Sequence, residues 1–137
     1  MNIRTNFVLV LTICLFFSCS KEKRTSNFIT NNTWELTSTT NSSGCESYCT
    51  FTCSNDEGYR LYGTANSNGT LSIIETENCS ETIDDIYSYQ WELITEDLVR
   101  VWNGNDDEYF TILEINNQEM IVTNQATNSV WTLQSID

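Results

Sequence analysis

The 137-residue chain has no proline, no histidine, and only six Lys and Arg against nineteen Asp and Glu. Each shortage excludes something. Without proline, no strand is interrupted by a missing backbone donor. Without histidine, the usual catalytic triads and His-based metal sites have no members. Beyond residue 24 the only cations are Arg60 and Arg100, and all acids but Glu22 lie there, so the segment from residue 25 on carries 2 − 18 = −16. Nucleic-acid binding depends on Lys and Arg neutralising phosphates, so that partner is excluded. A net charge so far from zero keeps a domain dispersed. No Gly-rich phosphate-cradling loop is present. Acid pairs such as Asp84-Asp85 and Asp106-Asp107 fall in predicted loops, where solvation accounts for them better than paired-carboxylate catalysis. The sequence therefore predicts neither an enzyme nor a cofactor.

The N-terminus carries the one long apolar run. Phe7 to Phe17 is eleven residues broken only by Thr12, after a polar start with Arg4. That is the length of the apolar part of a secretory signal. As a helix it spans about 16 Å, well short of roughly 30 Å of hydrocarbon. No alanine occurs before Ala65, so an A-x-A-like cleavage site is missing. Its place is taken by Leu15-Phe16-Phe17-Ser18-Cys19. This stretch resembles the lipobox of bacterial lipoproteins, with Phe16 standing where the common pattern has an aliphatic residue. The resemblance implies that residues 1–18 are a signal peptide and that Cys19 is acylated and becomes the membrane anchor. Two or more acyl chains hold a protein stably on a bilayer. Ser20, rather than Asp, after the cysteine resembles the outer-membrane sorting pattern, so the predicted location is the cell envelope, on the periplasmic face of the outer membrane. Ser20 to Arg24 carries a net charge of +2, which suits anionic headgroups. Residues 19–32 read as lipid anchor and polar tether, and residues 33–137 as one domain.

Cysteine parity agrees with export. Of six cysteines, Cys14 lies in the signal and Cys19 takes the lipid, leaving Cys45, Cys49, Cys53 and Cys79. An even set in an oxidising compartment suits disulfides. Their spacing does not match paired zinc knuckles, and no metal is predicted. Three pairings exist. If 49–53 is extended, Cys49 and Cys53 lie about 13 Å apart at ~3.3 Å per residue, too far for a bond. That disfavours Cys49–Cys53 with Cys45–Cys79. Of the two remaining pairings, Cys45–Cys49 with Cys53–Cys79 is preferred.

The rest reads as strands. Thr, Ser, Asn, Tyr, Trp and Ile are frequent, and alternation recurs. Thr33–Thr39 places Trp34 and Leu36 on one face. Tyr48–Cys53 is a short strand or a disulfide-tied loop. Tyr59–Ala65 and Thr70–Thr76 flank Asn66-Ser67-Asn68-Gly69, a strong hairpin signal. Ile86–Thr95 aligns Tyr87, Tyr89, Trp91 and Leu93. Leu98–Trp102, Glu108–Ile115, Glu119–Thr123 and Ser129–Ser135 follow, joined by short turns. The pattern predicts an all-β antiparallel up-and-down meander, closed as a barrel or folded as a sandwich. The turn Asn103-Gly104-Asn105-Asp106 offers oxygens to calcium, but it lacks EF-hand spacing and is explained as a hairpin.

Several segments together resemble the lipocalin-like domain of bacterial lipoproteins: Asn32-Thr33-Trp34-Glu35-Leu36, Tyr89-Gln90-Trp91-Glu92-Leu93, Tyr109 to Ile115 with Met120-Ile121-Val122, and Val130-Trp131-Thr132-Leu133. In true lipocalins the first strand carries G-x-W; here Asn32 holds the glycine position. The resemblance implies a small barrel of about eight strands without enzymatic activity. Trp34, Tyr89, Trp91 and Trp131 would line its interior, filling it or bounding a pocket for a small apolar ligand. Arg100 is a candidate for a ligand carboxylate or for an ion pair. Two roles follow: a lipid-anchored module binding a small apolar ligand, or a packed barrel that contacts another envelope protein.

Overall fold

In the computed structural model of the chain, residues 21–40, 49–50, 59–77 and 85–137 are described. They form a helix, α1 (residues 21–31), and nine strands: β1 (Thr33–Thr40), β2 (Cys49–Thr50), β3 (Tyr59–Ala65), β4 (Thr70–Glu77), β5 (Asp85–Thr95), β6 (Leu98–Asn103), β7 (Asp106–Ile115), β8 (Glu119–Asn124) and β9 (Val130–Ser135). Every neighbouring pair is antiparallel, and β1 also pairs with β9. Eight strands thus close an up-and-down barrel, and β2 adds a two-residue pairing at the end of β1. Closure gives each of the eight strands a paired neighbour on both sides among the described residues, which is what a strand-rich chain without edge prolines needs.

The hairpins obey their residues. Asn66 O accepts Gly69 N at 3.1 Å, and Gly69 has φ +88°, a conformation costly for other residues. The two-residue turn 104–105 likewise has Gly104 at φ +64°. β7 begins two residues earlier than its hydrophobic pattern suggests. Asp106 and Asp107 pair with Asn103 and Trp102, so this hairpin is tighter than the sequence implies.

Register breaks occur in β1 between Leu36 and Ser38, in β5 between Leu93 and Thr95, and in β7 between Ile112 and Glu114. Such bulges bend strands and help a sheet curl closed. Each leaves one residue out of register. Ile94 and Leu113 are two of these, which explains why both are exposed despite being large and apolar.

Residues 21–31 differ from the polar tether that the sequence suggests. They are helical, with Thr25 and Ile29 buried. After Lys21 to Arg24, which are good helix formers, their propensity is poor, with Thr, Ser and Asn frequent. A helix this short forms because its apolar face is buried, not from propensity. Ile29 enters a core cluster with Ala65, Trp91, Ile112 and Val122. Trp34 Nε1 donates to Ile29 O at 3.4 Å, and Asn32 Nδ2 donates to Phe28 O at 2.8 Å, satisfying carbonyls at the helix end. Lys21 Nζ reaches Glu96 Oε1 at 2.6 Å in the β5–β6 turn. The helix therefore closes the barrel end where β1 starts and where the β3–β4, β5–β6 and β7–β8 turns lie.

Candidate ligand cavity

Inward positions follow from the strand pleat. Trp34 faces Gly63 across β1–β3, Gly63 faces Ile73, and Ile73 faces Tyr87. Leu71 faces Tyr89, Trp91 faces Val101, and Val122 faces Trp131. These side chains surround a cavity of about 710 Å³. That falls within the range of small-molecule sites. It runs from Ile29 and Trp34 beside the helix to Glu75, Tyr87 and Asp106 at the other end. The floor is well packed: Trp34 is 4% exposed and Trp91 7%, whereas Tyr87 at the far end is 40% exposed. Phe110 and Trp131 meet edge to face on the wall, centroids 5.2 Å apart and planes at 62°.

The walls are mainly apolar, and the polar groups collect towards the end away from α1. Glu75, Asn103, Asp106 and Glu108 line that part. Glu108 Oε2 accepts from the buried Asn124 Nδ2 at 2.7 Å. The Tyr87 hydroxyl is held above its ordinary range, first by the negative charge of Asp85, then by partial burial and by Glu75.

Of the five ligand-contact candidates from sequence, the structure brings four together. Trp34, Tyr89, Trp91 and Trp131 all line the cavity. Arg100 does not join them. It lies on the outer face of β6, where Nη1 meets Glu92 Oε1 at 3.2 Å and Nη2 meets Asp107 Oδ2 at 3.1 Å. Its guanidinium stacks over Trp102, 4.8 Å from the ring centroid. The reason is parity: Val99 and Val101 take the inward positions of β6, so Arg100 between them points out. Arg60 is spent in the same way. Its Nε meets Glu35 Oε1 at 2.5 Å, with the guanidinium 5.4 Å from the Tyr62 ring centroid.

Sequence reasoning passed over the inward acids. Glu75 shares the parity of Leu71 and Ile73, and Glu108 shares that of Phe110, so alternation alone marks them as facing in. Among the described residues no group of three or more Cys, Asp or Glu is placed to hold a metal ion, and no helix is long and apolar enough to cross a membrane. Cys19, Cys45, Cys53 and Cys79 lie outside the described residues. For Cys49 only the backbone is described, paired with Thr39. Compared with known protein families, curated proteins and solved structures, the chain matches none.

Proposed function

We propose that the protein is a lipid-anchored envelope lipoprotein whose lipocalin-like barrel binds a small apolar ligand rather than catalysing a reaction. The observation that carries the ligand-binding part is the cavity of about 710 Å³ inside the closed barrel, walled by aromatic and aliphatic side chains and floored by α1. A barrel used only as a scaffold gains stability by filling such a space, since unfilled volume costs packing energy. Anchoring rests on the lipobox resemblance at Leu15–Cys19. It also gives the helix a role. Cys19 is two residues before α1, so the acyl chains would enter the bilayer on the α1 side of the barrel.

The two parts are tested separately. Displacement of a neutral fluorescent apolar probe from the mature domain tests the cavity, together with native mass spectrometry of protein purified from its own host. No probe binding and no co-purifying small molecule would discard the ligand reading. Palmitate labelling of the wild type beside Cys19→Ala tests the anchor, and equal labelling of the two discards it.

A further inference from the structure

The polarity of the cavity is one-sided, and it bears on which apolar ligands the site accepts. Every Lys and Arg after residue 20 is accounted for by the structure: Lys21, Lys23 and Arg24 on α1, Arg60 and Arg100 on the outer barrel face. None lines the cavity. The connecting segments 41–48, 51–58 and 78–84 cannot supply one, because their sequences hold five acids and no Lys or Arg. The charged groups on the cavity wall are Glu75, Asp106 and Glu108, all carboxylates.

The lining holds neutral donors in the Tyr62, Tyr87 and Tyr89 hydroxyls and the Asn103 amide, none of which carries a positive charge to pair an anion. Three indoles face inward, and each spends its N–H on the protein. Trp34 Nε1 donates to Ile29 O, Trp91 Nε1 to Asn66 O at 3.0 Å, and Trp131 Nε1 to Ser129 Oγ at 2.9 Å. An anionic ligand such as a fatty acid would bring its carboxylate into a cavity whose charged lining groups are all carboxylates, with no cation to pair it. A cation at the same place finds carboxylates at the mouth of an apolar cavity, with Glu75 half-buried and Asp106 and Glu108 exposed. It also finds the rings of Tyr87 and Tyr89, whose faces attract positive charge.

We propose that the barrel selects an apolar ligand bearing a positive charge: an organic amine or quaternary ammonium whose hydrocarbon or aromatic body fills the floor of the cavity while its cationic head lies among Glu75, Asp106 and Glu108. This rests on the ligand-binding reading given above and narrows it to a chemical class.

The test uses three probes with one hydrocarbon body and different heads: dodecyltrimethylammonium, dodecanol and dodecanoate. Each competes with the same neutral fluorescent probe, below micelle-forming concentrations, on the whole mature protein. The ammonium is expected to bind about tenfold or more tightly than dodecanoate, with dodecanol between them. The combined variant Glu75→Gln, Asp106→Asn, Glu108→Gln is expected to remove that ranking while keeping dodecanol binding. Glu114→Gln, which removes one charge from the exposed outer face of β7, is expected to keep the ranking. Two outcomes overturn the proposal and are distinguishable. If all three probes bind equally, or dodecanoate binds best, the cavity reading stands and the charge selectivity is wrong. If neither the fluorescent probe nor any dodecyl compound binds, the cavity reading itself falls and takes the proposal with it. A ranking that Glu114→Gln abolishes assigns the preference to net charge and overturns the assignment to the cavity.

Discussion

Asn124 Nδ2 donates to Glu108 Oε2 at 2.7 Å, which ties the end of β8 to a carboxylate on the cavity wall. The same Asn124 turns its Oδ1 towards Ala126 N at 2.9 Å and Thr127 N at 3.2 Å, organising the β8–β9 turn. Asn128 in that turn takes φ +55°, which Asn tolerates better than most residues. One side chain, 4% exposed, thus holds a turn and positions an acid.

Asn124→Ala removes both functions. A buried hydrogen-bonded amide replaced by a methyl leaves the turn amides and a charged acceptor short of a partner, a cost of about 1–3 kcal/mol. Urea unfolding of the variant should show a lower midpoint at unchanged slope. An unchanged midpoint would mean that water replaces the amide without loss.

Gly63 offers a way to close the cavity without disturbing the barrel. It faces Trp34 and Ile73 from inside, and its φ lies outside the positive range. A Cβ there would meet Ser72 O at 3.5 Å and Leu71 Cδ1 at 3.6 Å, ordinary contacts. Gly63→Leu should therefore fold, gain up to about 1 kcal/mol from filled volume, and lose most of its probe binding. Full probe binding in a well-folded Gly63→Leu protein would place the ligand somewhere else.

Ile29 tests whether α1 is part of the fold. It is 6% exposed in the core cluster. Ile29→Ala should cost about 2–4 kcal/mol, as for other large-to-small core changes, whereas a free tether would tolerate it silently. Denaturant titration separates these, and faster hydrogen exchange at Trp91 and Ile112 would locate the loss at the closed end.

Tyr87 supplies a pH signature. Its hydroxyl is raised above the ordinary value of 10.0, first by the charge of Asp85. A group that holds its proton more tightly folded than unfolded adds stability that is fully present below pH ~10 and is lost as pH rises through the folded value. Phenolate absorbance should therefore contain a late component above pH ~10. Tyr87→Phe should remove that component, and Asp85→Asn should move it to lower pH. A late component that survives Tyr87→Phe would belong to another tyrosine.

Lys21 works in the same direction. Its hydrogen bond to Glu96 raises it above 10.5, so alkaline pH weakens the tie between α1 and the β5–β6 turn.

Strand identity was legible in the chain itself. Alternating apolar residues, two glycine-bearing hairpin turns and the absence of proline specify antiparallel strands, and the paired faces of Tyr87, Tyr89, Trp91, Trp131 and Leu133 follow from a period of two. Parity even separates Arg100 from the interior and sends Glu75 and Glu108 into it. Three features were not legible, because each depends on atoms distant in sequence. The bulges at Thr37, Ile94 and Leu113 arise where neighbouring strands must bend to meet. Closure of β1 on β9 joins residues about a hundred positions apart, and short turns alone are equally compatible with a sandwich. The helix over residues 21–31 opens on good helix formers, Lys21 to Arg24, but runs on through Thr, Ser and Asn, and it holds because the barrel end offers Ile29 a place among Ala65, Trp91 and Val122. The sequence by itself determined which residues face each other along each strand. Only the tertiary structure decided that those faces enclose a space and which end of it is sealed, because closure depends on the combined curvature of eight strands rather than on any one of them.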